Sequence, residues 1–455
     1  MRKHTREGTP RCGTASRRVR GLRRSGLVLV TGLAVSLSAC TGQGASGSSS
    51  DDEGSAGGKV TLTFWNGLTG GDRATIDKLI GEFNDSQKKV KVKSVPMPWD
   101  VFYQKLLTSV SSGNGPDIVA MDAGQMPKYA DKGVLQPLDD FYSSKKHMDT
   151  SKLVPAAVNT SEFEGKNYGV PLNMATLMLF WNKTMFKDAG LDPEKPPKTC
   201  AEFAKMAPKL TKDTDGDGKP DQYAIALADH ETIPMYPVLL WQGGADVVSR
   251  DGKKATLDDP KALKTLKYWV KQVRSEHISP VGLSGAKADK LFQTKKAAME
   301  IVGPWVTTQF SEAGVKYGVT RPFSGPGGRQ TFSSITSFGV SAKASPGKKN
   351  AAYRFFSFWN SKESQVKLAE GTGFPPDRTD VSPGDLKGNP DSAAFGAKDV
   401  TESARPYLPG LVNGPTIADQ IFYPALQRAL DGKQDVESVF KKADAQVQAQ
   451  LDKQK

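Results

Sequence analysis

One stretch of this chain has the residue types and spacing of a hard-cation loop. Asp213-Thr214-Asp215-Gly216-Asp217-Gly218-Lys219-Pro220-Asp221 places carboxylates at positions one, three, five and nine, with a glycine at position six for the turn. Oxygen ligands at those positions suit Ca²⁺. Position twelve, where a bidentate Glu normally closes the shell, is Ala224, so the expected ion is a structural calcium in an incomplete loop. No other cofactor is expected. Covalent catalysis has little to work with. There is no Gly-x-Ser-x-Gly, no His-Glu-x-x-His and no phosphate-binding loop. Cys200 follows Pro196-Pro197-Lys198-Thr199, which reads as a helix-start position, not a nucleophile.

The third reactive position is Cys40, at the junction Leu37-Ser38-Ala39-Cys40. Before it lie nine Lys/Arg (Arg2 to Arg24) against Glu7, then about a dozen mostly apolar residues from Leu27. This is the basic region, short apolar region and small-residue cleavage site of an export signal. The apolar run is shorter than the roughly 20 residues a membrane span needs. Cys40 after Leu-Ser-Ala resembles the lipobox of bacterial lipoproteins, which implies a lipidated Cys40 and a protein held at the extracellular face of the cell membrane. Paired arginines leave a twin-arginine export route open beside the general one.

The leader changes the charge argument. The chain has 62 basic and 49 acidic residues, net +13; without residues 1–39 it has 53 and 48, net +5. The basicity that would suggest nucleic acid lies largely in a discarded segment. Residues 41–58 are Gly, Ser, Ala and a few acids, the composition of a flexible tether. The remaining length of about 400 residues implies more than one core.

Periodicity then gives the elements. Strands are expected at 59–65, 90–95 and 117–121, with helices from Asp72 and over 99–112 between them. Ile76, Leu79, Ile80 and Phe83 share one helical face, and Phe102, Leu106 and Val110 another. This β-α-β-α-β order predicts an α/β lobe with a largely parallel sheet. Further helices are expected at 262–276, 351–359 and 436–451, and a strand at 222–228.

These pieces occur with Thr63-Phe64-Trp65-Asn66-Gly67, Gly115-Pro116-Asp117-Ile118-Val119, Gly133-Val134-Leu135-Gln136-Pro137-Leu138 and Tyr168-Gly169-Val170-Pro171. Further on are Leu179-Phe180-Trp181-Asn182-Lys183, Ala298-Met299-Glu300-Ile301-Val302-Gly303-Pro304-Trp305, Tyr317-Gly318-Val319 and Gly373-Phe374-Pro375-Pro376-Asp377-Arg378. In this order they resemble the extracellular solute-binding proteins of ABC importers, in the carbohydrate-uptake family of maltose-type and glycerol-phosphate-type binders. The resemblance runs from residue 59 to the C-terminus. It implies a two-lobed periplasmic-binding-protein-like α/β fold, each lobe a largely parallel sheet flanked by helices. Its hinge crossings lie near 170–177, 335–340 and 375–382. The lobes are then 59–172 plus 337–378 and 173–336 plus 379–455, after a signal at 1–39 and a tether at 40–58. The implied partners are a carbohydrate-like solute, ABC permease subunits and the membrane, with no nucleic acid and a monomeric receptor.

A sugar has apolar C–H faces and hydroxyl edges, so its site wants aromatic plates with carboxylates, amides and backbone groups around them. Ligands of open α/β sheets collect at the C-terminal ends of strands. That selects Trp65, Asn66 and Asp72 after the first strand and Asp122 after the third. The resemblance adds Tyr103, Asn173, Trp305, Phe374 and Arg378, the last able to serve a phosphate. Trp241 and Glu231 complete the set. Trp269 and Trp359, inside helical stripes, are expected in the core. Maltose-type relatives often carry an acid where this chain has Ala175, which argues against maltose itself. The competing function is a secreted glycosidase using two carboxylates.

Overall fold

The computed structural model describes residues 59–454, apart from 145, 146, 155, 156 and 159. Cys40, the signal and the tether lie outside the described residues.

The first sheet is built around β1 (Val60–Asn66). It is followed by α1 (Arg73–Ser86), β2 (Val90–Pro96), α2 (Trp99–Ser111) and β3 (Ile118–Asp122). β1 pairs in parallel with β2 on one side and β3 on the other. The helices form where the apolar stripes require them. Ile76, Leu79, Ile80 and Phe83 of α1 are buried on one face of the sheet, and Phe102, Leu106 and Val110 of α2 join Val119 and Met121 on the other.

Two longer strands complete the sheet. Thr331–Val340 runs antiparallel to β3, with Thr336 opposite Asp122, and Val170–Thr176 pairs antiparallel with its other edge. One residue, Leu177, separates Val170–Thr176 from Met178–Asn182, the central strand of the second sheet. Its N–H donates to the Phe332 carbonyl at 3.0 Å. The expected lobe boundaries at 172/173 and 336/337 therefore fall inside the two strands that join the sheets.

The second sheet corrects one expectation. Met178–Asn182 pairs antiparallel with both Met299–Val302 and Tyr317–Thr320, so this sheet is not largely parallel. The chain enters its centre straight from the first sheet, with no crossover helix to turn it into a parallel strand. The segment 222–228 forms no continuous strand either. It runs beside Met299–Val302 through isolated parallel bridges, Tyr223 to Ala297 and Ala226 to Glu300. The segment 375–382 crosses with a single bridge, Arg378 to Leu153.

Each sheet has its own core. Phe64, Phe338, Phe355, Phe356 and Trp359 pack in the first, and Phe203, Trp269, Phe323, Phe422 and Phe440 in the second. Trp359 is fully buried, and its indole N–H donates to the Leu172 carbonyl at 2.8 Å. Cys200 opens the helix Cys200–Leu210 behind the Thr199 cap, and burial pushes its thiol up to about 11. It is therefore no thiolate at neutral pH. Among the described residues, no helix is long and apolar enough to cross a membrane.

Candidate functional site

At the carboxyl ends of β1 and β3 an aromatic wall forms. Tyr103, on α2, stacks between Trp99 (centroids 5.7 Å apart, planes 20°) and Tyr129 (6.1 Å, 25°). Trp65 packs against the same cluster. The Tyr103 hydroxyl accepts the Asp122 N–H at 3.1 Å. The Asp122 carboxylate accepts the Gly124 N–H at 2.8 Å and a hydrogen bond from Ser334 on the long joining strand. Burial nevertheless pushes its carboxyl up to about 6. A carboxyl raised in this way accepts from a hydroxyl while ionised and donates to one when protonated.

Facing this wall is a segment of the second half of the chain. Asp419 sits in a π-helical stretch, Ile417–Phe422, a rare geometry that is frequent at functional sites. Burial raises its carboxyl pKa, partly offset by Lys128. Its charge acts on Tyr103 and Tyr129 from the first lobe and on Tyr407 and Tyr423 from the second. The Tyr407 hydroxyl is buried without a hydrogen-bond partner. Its carbonyl lies 4.0 Å from where a Cβ on Gly124 would stand, so the two segments are in near contact.

A third group lies against the loop after β1. Trp305, half-buried, lies 6.4 Å from the Phe374 ring at 42°. A Cβ on Gly71 would stand 3.1 Å from the Trp305 carbonyl, which brings the loop after β1 against it. In that loop Asp72 is buried, and desolvation pushes its carboxyl up to about 6. The Trp305 indole donates to Asp289, which lies beside the fully buried Glu300. Desolvation, with the Asp289 charge added, holds the Glu300 carboxyl well above its usual range. On the joining strand, the Asn173 side chain is 2% exposed and its Nδ2 has no partner.

The structure thus brings together Trp65, Tyr103 and Asp122, and separately Asp72, Trp305 and Phe374. Four expected site residues have other duties. Asn66 donates to the Ser94 hydroxyl at 2.9 Å and accepts the Leu68 N–H at 3.3 Å, holding the turn after β1. Arg378 is bidentate to Asp380 (2.7 and 2.7 Å) and donates to the Asn360 carbonyl at 2.8 Å, so its guanidinium clamps the 375–382 crossing and is not offered to a phosphate. Trp241 is buried. Its N–H is taken by Asp246 at 2.9 Å and its face by the Arg405 guanidinium at 4.0 Å. Arg405 pairs in turn with Asp246 at 2.9 Å. Glu231 is exposed at a positive φ of 45°, its carbonyl accepting the Gly285 N–H.

Sequence reasoning missed Tyr129, Ser334, Tyr407 and Asp419. The segment holding the last two, Pro406-Tyr407-Leu408-Pro409-Gly410 onward, shows turn residues but no periodicity. Only its cluster of aromatic and acidic residues near turns could have flagged it.

The acidic loop is formed as spaced. Carboxylate oxygens of Asp213, Asp215 and Asp217 lie within 4.8 Å of one another. Asp213 accepts N–H groups of Gly216 and Gly218 at 2.7 and 2.8 Å. Asp221 instead binds Thr214 through its N–H (2.9 Å) and hydroxyl (2.6 Å).

Two joined sheets with aromatic and carboxyl side chains of both halves brought together have counterparts among known proteins. The sn-glycerol-3-phosphate-binding periplasmic protein UgpB of Brucella melitensis is 24% identical over 405 residues, covering 85% of this chain and 92% of its own. The fold matches an ABC substrate-binding protein of Listeria monocytogenes solved with cycloalternan (TM-score 0.77, 22% identity, 87% and 99% of the two chains). It also matches a solute-binding protein of Thermotoga lettingae bound to alpha-D-tagatose (TM-score 0.76, 26% identity, 86% and 100%). The sequence profile of the bacterial extracellular solute-binding proteins matches residues 78–394, well over half the chain, and the chain belongs to that family.

Proposed function

We propose that this protein is the lipid-anchored receptor of an ABC importer. It captures a carbohydrate between its lobes and hands it to a membrane permease. The observation that carries the reading is the convergence of Tyr103, Tyr129 and Asp122 from one lobe with Tyr407 and Asp419 from the other. Stacked rings suit C–H faces, and buried carboxyls with an unpartnered tyrosine hydroxyl suit sugar hydroxyls. Among relatives, the ligands include both sugars and sn-glycerol 3-phosphate. The commitment of Arg378 to Asp380 and of Arg405 to Asp246 favours the uncharged class here. The site binds and does not turn over. Calorimetric titration with a panel of neutral oligosaccharides and with glycerol 3-phosphate tests this: saturable binding is expected from the first group and none from the second. Selective binding of the phosphate would sink it.

The hinge consists of the crossings at 170–177, 331–340 and 375–382. Closure follows from ligand contacts made to both lobes at once, since only differential affinity shifts such an equilibrium. Lipidation at Cys40 anchors the receptor. A Cys40→Ala variant is expected to lose incorporation of radiolabelled fatty acid and to appear in the culture medium; label retained in the variant would refute it. The Asp213 loop takes a structural Ca²⁺ through Asp213, Asp215 and Asp217. Chelation is then expected to lower the melting temperature, and an unchanged melting curve with and without calcium would remove the ion from the account.

A further inference from the structure

β2 is the outer strand of the first sheet, and its exposed side is a row of lysines. Lys88, Lys89, Lys91 and Lys93 are all exposed, and Lys91 and Lys93 stand opposite Thr61 and Thr63 of β1. Lys59 is exposed beside them, because the Val60 N–H donates to the Lys89 carbonyl at 2.8 Å. Nearby acids are occupied elsewhere. Asp117 binds Lys348 and the Thr63 N–H, and Glu82 binds Lys367. Asp85, three residues before Lys88, offsets one charge of the five.

We propose that this lysine edge is a docking surface for the anionic lipid headgroups of the membrane that carries the protein. Three features point there. Residue 59 is where the described body begins, and residues 41–58 join it to Cys40. Eighteen residues separate Cys40 from residue 59, at most about 60 Å of fully extended chain, so a lipid on Cys40 keeps the edge within that reach of the bilayer. Lys91 and Lys93 alternate along one face of β2, about 7 Å apart, and Lys88 and Lys89 lie in the bend just before it, so the lysines can lie together within the ~8 Å screening length of a planar surface. A polybasic patch of this kind adds to a lipid anchor as a second attachment signal. It would also fix the orientation of the first lobe at the membrane. The purpose of the patch rests on the lipid-anchor reading of Cys40, but the test below does not use the lipid.

The chain from residue 41 onward, without lipid, is mixed with vesicles containing about 30% phosphatidylglycerol in phosphatidylcholine, and with phosphatidylcholine alone, and sedimented at low and at physiological salt. Binding to the anionic vesicles only, weakening with salt, is expected. The variant K88Q/K89Q/K91Q/K93Q should lose about tenfold or more in vesicle affinity, with circular dichroism and glycan affinity unchanged. A control, K253Q/K254Q/K261Q/K264Q, removes the same charge from exposed positions elsewhere and should lose far less. Equal loss in both variants would overturn the proposal, because net charge alone would then explain binding. So would no vesicle binding by the parent chain, as when Asp51, Asp52 and Glu53 of the tether occupy the lysines instead. Self-association of the edge variant with unchanged vesicle binding would also overturn it, and would assign the lysines to blocking strand-to-strand pairing. Failure of fatty-acid labelling at Cys40 would leave the vesicle result standing on its own.

Discussion

Two neighbouring residues show how much environment decides. Asp377 and Arg378 both sit in the 375–382 crossing. Arg378 spends its donors on Asp380 and the Asn360 carbonyl. Asp377 is fully buried, and neither carboxylate oxygen has a hydrogen-bond partner, so desolvation pushes its carboxyl up to about 8. The folded state therefore binds this proton more tightly than the unfolded chain, whose Asp titrates near 4. Its stabilising contribution is complete below about pH 4 and falls, by up to roughly 1.4 kcal/mol per pH unit, until about pH 8. Asp377→Asn should flatten the denaturation midpoint over that range; the same slope in parent and variant would refute the assignment. At the ligand wall, Tyr103→Ala and Asp122→Ala should each weaken glycan binding by about tenfold to a hundredfold, because each removes a stacking plate or leaves hydroxyls unpaired. Calorimetry reads this directly, and full affinity in both variants would displace the site. Asp122 was legible in the sequence because it ends a strand. Asn66 ends one too, yet its amide turned inward to Ser94, and nothing in residue type separates those outcomes.

At the scale of elements, the first five elements of the first lobe were readable almost to the residue. Its strands and helices carry clean periods of two and 3.6, and their observed bounds differ from the expected ones by about one position. The second sheet was not, because antiparallel pairing of Met178–Asn182 depends on partners more than a hundred residues away. The segment 404–423, which supplies Tyr407 and Asp419, has no period to read. One element makes a sharp prediction. Gly303 precedes Trp305, and a Cβ there would stand 1.9 Å from the Trp305 ring. Gly303→Ala must therefore displace the indole from Asp289. It should reduce glycan affinity about as much as Trp305→Ala, with little loss of far-ultraviolet dichroism. Unchanged affinity in both variants would take Trp305 out of the site.

The whole molecule is two cores joined through strands of the first sheet. Val170–Thr176 passes to the second sheet through Leu177 alone, and Thr331–Val340 follows Tyr317–Thr320 of the second sheet after residues 321–330. In the proposed mechanism, rotation about them would change the distance between Asp122 and Asp419 while leaving each core intact. A ligand touching both walls favours the closed form by the difference between its affinities for the two states; a shift from 1:99 to 99:1 needs about 5.5 kcal/mol. The most direct test is small-angle scattering of the chain from residue 41, free and saturated with a neutral oligosaccharide that calorimetry shows to bind. A smaller radius of gyration is expected with ligand, and loss of that change in Asp122→Ala at the same glycan concentration. Tight binding with an unchanged radius of gyration would contradict this expectation.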